Sequence, residues 1–286
     1  MIFNPEVRFL SAVRSENEGG YLMRKSNETC QKGWVCILLA FVSAFLVSQA
    51  LANDLLTKGQ KAWLDQHKEI QVGAFNDYPP FGFVDASGQA QGMSVDFWNL
   101  MASKLGFKAK FHPNVFSQLL DGLKSGQYDS LAGIFPLDER KKFFDFTKEY
   151  TTIDTYIYVR PKYSGLKGLT DLKGLKVGGV EGDSGKVIAE KAGLGPKGFT
   201  SYLSTVQVLG REEIDAIIMD ELVVNYYAVQ NKIEDKIKKI GQPVDQGKMT
   251  LPVTKTNTVL LSILNKGVGM VSSQEWLKIR QKWMGK

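Results

Sequence analysis

Apolar and polar positions follow two periods along this chain. Met93, Phe97, Leu100, Met101 and Leu105 recur at i, i+4, i+7, i+8 and i+12. That is one apolar stripe of a helix, which Gly106 ends. Short apolar runs at Ile70–Phe75, Phe107–Phe111 and Asp129–Ile134 predict strands. Phe116–Lys124 predicts a helix stopped by Ser125-Gly126, and Leu55–His67 a short amphipathic one. Phe81–Val84 and Gln89–Gln91 flank a glycine turn, the pattern of a β-hairpin. The repeated β-α-β order predicts a parallel sheet covered by helices.

Ile153–Arg160 alternates and leaves this first unit. A second α/β unit follows: a strand at Leu175–Val180, a helix at Lys186–Ala192 and a glycine/proline loop at Gly193–Lys197. Then come a helix at Leu203–Gly210, a strand at Ile214–Met219, a helix at Glu221–Gln230 and a strand at Ile237–Ile240. Leu251–Thr254 would return the chain to the first unit, and Val259–Val271 and Gln274–Met284 read as closing amphipathic helices. A chain of 286 residues accommodates this as one large or two medium domains.

Trp34–Val47 is an unbroken apolar run preceded by Arg24, Lys25 and Lys32 and followed by Ala50-Leu51-Ala52. Its length suits the core of a signal peptide better than a membrane span, so residues 1–52 read as an export signal cleaved before Asn53, with Met23 an alternative start. Both cysteines, Cys30 and Cys36, lie in that segment. The exported chain is then cysteine-free, which argues against a thiol nucleophile or a Cys/His metal site downstream. Removing residues 1–52 takes away five of the 36 basic and four of the 30 acidic side chains and leaves +5, spread without the Lys/Arg blocks of a nucleic-acid binder.

Three stretches carry candidate chemistry. The first is DSLAGIFPLDERKKFFDFTKEY, from Asp129 to Tyr150. It places Arg140 just past a buried strand, where open α/β sheets bind ligands, and a guanidinium matches a carboxylate bidentately. As one charge among several in a basic turn, Arg140 is equally a solvated residue. The second is Gly182-Asp183-Ser184-Gly185, at a strand-to-helix junction suited to an anion; Asp183 or Ser184 as a plain N-cap explains it as well. No GK[ST] follows, so no nucleotide cofactor is implied. The third is Asp220, which ends the apolar strand AIIM and offers either an N-cap or a carboxylate for an ammonium. Tyr78 and Phe81 flank Pro79-Pro80, which would hold both aromatics stiffly past the first strand.

In order, IQVGAFNDYPPFGF, GQAQGMSVDFWNLMASKLG, LLDGLKSGQYDSLAGIFPLDER, FDFTKEY, DLKGLKVGGVEGDSG, REEIDAIIMDELVVNYY and IRQKWMG resemble the family 3 extracellular solute-binding proteins over residues 54–286. The resemblance implies an α/β, two-lobed type II (Venus flytrap) fold with two hinge strands. Lobe 1 would be 54–155 plus 250–286, and lobe 2 would be 156–249. It implies a periplasmic, monomeric binder of an amino acid or similar small carboxylate, serving an ABC permease and needing neither cofactor nor metal. By position, Arg140 would clamp the ligand carboxylate with help from Ser184, and Asp183 beside it would belong to the ligand site. Asp220 would take the ammonium, Tyr78 and Phe81 would pack on the ligand, and Gly133 and Phe135 would line it. The chain departs from the family pattern at Leu137, which stands in place of a threonine, and at Gly133 and Phe135, in place of serines, which implies a more apolar pocket. A sensory role, or a cyclohexadienyl-type dehydratase activity, are the alternatives the fold leaves open.

Overall fold

The computed structural model describes residues 55–284; the proposed export signal at 1–52 lies outside them. The first lobe is built on a parallel sheet ordered β5-β1-β6, with β1 (Glu69–Phe75) between β5 (Lys108–Asn114) and the two-residue β6 (Ser130–Leu131). Helices α1 (Lys58–Gln66), α2 (Met93–Leu105) and α3 (Phe116–Ser125) accompany it. The predicted stripe of α2 is its buried face, except that Leu100 is half-buried, and Trp98 is added to it. The Trp98 indole donates to the Ala132 carbonyl at 3.2 Å, so its polar end is satisfied in the core. The hairpin forms from β3 (Gly82–Val84) and β4 (Ala90–Gln91), joined by β2 (Asp77–Tyr78) as a third strand.

The second lobe holds five strands in the order β10-β9-β11-β8-β12. β9 (Val177–Val180), β10 (Lys197–Phe199) and β11 (Ala216–Asp220) are mutually parallel where they pair, while β8 (Thr151–Val159) and β12 (Lys238–Met249) are antiparallel to their neighbours. Helices α5 (Ser184–Lys191), α6 (Tyr202–Gly210) and α7 (Glu221–Asn231) cover this sheet. β8 and β12 pair from Val159↔Lys238 to Thr151↔Met249 and are the two hinge strands. After β12 the chain returns as β13 (Pro252–Thr254), which pairs with β7 (Phe144–Phe146), and ends in α8 (Thr258–Met270) and α9 (Ser273–Met284). The indole of Trp283 and the ammonium of Lys282 both reach Asp96 at 2.7 Å, tying α9 to α2.

Four local readings change. β12 runs on to Met249 through GQPVDQGKM, which sequence periodicity leaves as loop, because only Gly247 and Met249 of that stretch are buried and the ladder to β8 does not require an apolar face. The Gly193–Lys197 loop runs at its end into a short strand, β10, which starts at Lys197. The charged turn after Pro136 is a one-turn helix, α4 (Asp138–Lys141). Pro79-Pro80 forms a turn with a cis peptide rather than an extended segment.

One close approach sets the second lobe's geometry. A Cβ at Gly185, in the first turn of α5, would lie 1.9 Å from the Ile218 carbonyl oxygen of β11. Only glycine lets α5 lie this close to the strand that ends at Asp220. Gly185→Ala is therefore expected to push α5 off β11 and to cost about 1–3 kcal/mol, as overpacking does. Urea denaturation of the variant and the parent measures this; an unchanged midpoint would show that the helix has room to spare.

Candidate functional site

The ends of the two sheets face one another across a closed cleft. Arg140, on α4, is buried at 6 % exposure. Its Nη1 donates to the Phe135 carbonyl at 2.7 Å and its Nη2 crosses to the Gly182 carbonyl of the second lobe at 2.8 Å. The guanidinium carbon stands 5.1 Å from the Phe116 ring centre, a cation–π distance. Among the described residues no carboxylate lies within ion-pair range of it; its bonds are to carbonyls only. A guanidinium has five N–H donors, so this leaves capacity for a ligand. Burial lowers the Arg140 pKa and Asp183 counters the shift, so the group stays charged.

Asp183 precedes α5. One oxygen accepts from the Gly185 amide at 3.2 Å and the other from the Tyr202 hydroxyl at 2.9 Å. The N-cap reading is thus correct, and the same carboxylate is also buried in the cleft. Burial raises its pKa, against the pull of Arg140. Ser184 Oγ is buried and has no hydrogen-bond partner.

Asp220 is 1 % exposed. It occupies the N-cap position of α7, yet its side chain caps nothing. One oxygen accepts from Thr155 Oγ1 at 2.5 Å and the other from the Tyr78 hydroxyl, which reaches across from the first lobe. Burial, and next the Asp183 charge, push its pKa up from 3.8 to about 7, while the two hydroxyls oppose the shift. The Tyr78 ring lies 4.6 Å from Phe75, 5.2 Å from Phe81 and 4.8 Å from Tyr202, and so forms an aromatic wall.

The structure thus gathers Tyr78, Phe81, Arg140, Asp183, Ser184 and Asp220 around one cleft. Gly133 and Phe135 are placed differently. A Cβ on Gly133 would meet the Tyr150 hydroxyl at 2.5 Å and Met249 Sδ at 2.7 Å, so that position packs against the base of hinge strand β12. The Phe135 ring lies on Gly247 of the same strand, while its carbonyl holds Arg140.

Sequence reasoning passes over Thr155 and Tyr202. Thr155 is signalled by its pattern: it is the one polar member of the buried face Ile153, Thr155, Ile157, Val159, and it pairs in register with Asp220. Tyr202 opens α6 after the Ser201 cap and is fully buried there; nothing local marks it, because its partner Asp183 is 19 residues away.

One parallel and one mixed sheet, two hinge strands and a cleft lined by buried charge define a two-lobed solute-binding protein. The chain belongs to the bacterial extracellular solute-binding proteins, family 3, whose model matches residues 70–286. It is similar to the arginine-binding extracellular protein ArtP of Bacillus subtilis, 26 % identical over 264 residues covering 88 % of this chain and 98 % of that one. Among solved structures it is similar to an ancestral arginine-binding protein bound to glutamine (TM-score 0.69, 32 % identity, 77 % of this chain and 99 % of that one). It is also similar to a histidine kinase sensor domain with similarity to periplasmic binding proteins (TM-score 0.72, 25 % identity, 77 % and 98 %).

The raised pKa of Asp220 carries a sign. The folded, ligand-free protein holds a proton that the unfolded chain releases between pH 3.8 and about 7. Folding stability from this group is therefore lost as pH rises through that window. Urea unfolding at pH 5 and pH 8 should show a smaller difference in Asp220→Asn than in the parent. Equal differences would mean that Asp220 ionises normally.

Proposed function

We propose that this chain is an exported substrate-binding protein that captures an amino acid or similar small carboxylate by lobe closure and delivers it to an ABC permease. The observation that carries this reading is a buried arginine on one lobe, bonded only to carbonyls, opposite a buried aspartate and an unpartnered serine hydroxyl on the other. Arg140 takes the ligand carboxylate, with Ser184 Oγ as an added donor. Asp220 takes the ammonium, which replaces the Tyr78 hydroxyl as its partner. Tyr78 and Phe81 cover the apolar part. Lobe 1 comprises 54–155 and 250–286 and lobe 2 comprises 156–249, so Arg140 and Asp220 meet only when the lobes close. A ligand bridging them favours the closed state, which is the differential affinity that ligand-driven closure requires. The names of its relatives, which include an arginine binder, support an amino acid as ligand. A sensory role is the second reading, supported by the likeness to a kinase sensor domain.

Thermal melting of residues 53–286 against each amino acid and a set of small carboxylates tests the binding reading. A ligand at 100 times its Kd adds about 2.7 kcal/mol, which for a chain of this size raises Tm by roughly 5–10 °C. The shift should appear with one compound class and vanish in Arg140→Ala. If no compound moves Tm, or if the shift survives in Arg140→Ala, the clamp is wrong.

A further inference from the structure

The binding reading leaves one buried group without a task. The Asp183 charge acts on both halves of the clamp, on Arg140 and on Asp220, and the zwitterion model uses only those two. Among the described residues the buried acidic and basic side chains at the cleft are Arg140, Asp183 and Asp220. The fourth such buried group among the described residues, Arg160, sits at the far end of β8 and is already paired with Asp215 and, at 3.0 Å, with Glu212. The cleft therefore sets two carboxyl groups, both with pKa raised by burial, against one guanidinium. The further charges that act on this trio are acidic as well: Asp245 on Asp220, Glu139 on Arg140, and Asp77, which accepts from the Tyr202 amide at 2.7 Å.

A neutral zwitterion does not change that balance. Its carboxylate answers Arg140, its ammonium answers Asp220, and Asp183 stays buried without a counter-charge. The places an anion would use are also partly taken. The Gly185 amide at the start of α5 already bonds Asp183, and an added carboxylate there would lie beside a like charge. A second positive group on the ligand removes both difficulties. Ser184 Oγ, buried and unpartnered beside Asp183, points to a polar ligand group at this end of the cleft.

Building on the binding reading, we propose that the cleft selects ligands carrying a net positive charge, and that Asp183 is the residue that sets this selectivity. The ligand class is amino acids with a cationic side chain. Neutral and acidic amino acids of the same shape are excluded.

Two isosteric pairs test this by calorimetry on the exported chain: arginine against citrulline, and lysine against 2-aminoheptanoic acid. In each pair the charged member should bind at least tenfold more tightly, a difference of about 1.4 kcal/mol. Asp183→Asn keeps a capping side chain of the same shape and should close that gap, by weakening the charged member more than the neutral one. Asp183→Ser provides a second cap if the asparagine variant misfolds. Citrulline binding within threefold of arginine, or an equal loss for both members of a pair in the variants, overturns the proposal. So does failure of all four compounds to bind. A positive melting screen for neutral or acidic ligands would then leave the binding reading standing and the charge rule refuted; a screen with no hit removes both.

Discussion

Three charges buried in one cleft, Arg140, Asp183 and Asp220, set the terms for the structure around them. A buried charge is tolerated only where hydrogen bonds replace its water. Each of the three is supplied accordingly: Arg140 by the carbonyls of Phe135 and Gly182, Asp183 by an amide and the Tyr202 hydroxyl, Asp220 by the hydroxyls of Thr155 and Tyr78. These partners come from the segment before α4, the turn before α5, α5 itself, α6, β8 and β2. The site is thus a convergence of six segments, and its geometry depends on the packing that brings them together, above all the seating of α5 on β11 at Gly185.

The fold was legible because both of its periods are written in side chains. The α2 stripe, the buried β1 run and the apolar AIIM of β11 lie where pattern reading puts them. β12 was not legible, because a hinge strand with few buried side chains is specified by its backbone partner and leaves no apolar pattern. The site was legible in its ends and opaque in its middle. Arg140, Asp183 and Asp220 stand at strand or helix boundaries, where position alone suggests chemistry. Whether such an acid caps a helix or faces the cleft depends on rotamer and neighbours, and the two aspartates differ: Asp183 does both, and Asp220 leaves its helix uncapped.

The apolar departures at Gly133, Phe135 and Leu137 acquire a mechanical sense. Leu137 at the N-cap of α4 makes no side-chain cap bond, so the one-turn helix carrying Arg140 relies on its packing and on the bonds made by the guanidinium itself. Phe135 rests on Gly247 and Gly133 fits against Met249, both on hinge strand β12. The segment that positions the arginine is therefore in direct contact with the hinge. Polar serines at these places would instead need hydrogen-bond partners. The apolar residues keep the contact without directional bonds, which would suit the proposed lobe closure.

The bonds that cross the cleft also bound what a ligand must do. Besides Tyr78 to Asp220 and Arg140 to Gly182, the Tyr202 amide and the Tyr227 hydroxyl bond Asp77 at 2.7 and 2.8 Å, and Glu139 pairs with Lys191 at 2.8 Å. The last is an exposed pair and adds little. In the proposed binding mode the Arg140–Gly182 and Tyr78–Asp220 bonds lie where the ligand's carboxylate and ammonium would sit, and the two to Asp77 do not involve those groups. At Asp220 a neutral phenol faces a carboxyl group whose pKa burial has raised. An ammonium there would exchange a neutral donor for a charged one, and charge-assisted bonds are roughly twice as strong. On that proposal the gain on binding would be greatest where a cation does better than a hydroxyl.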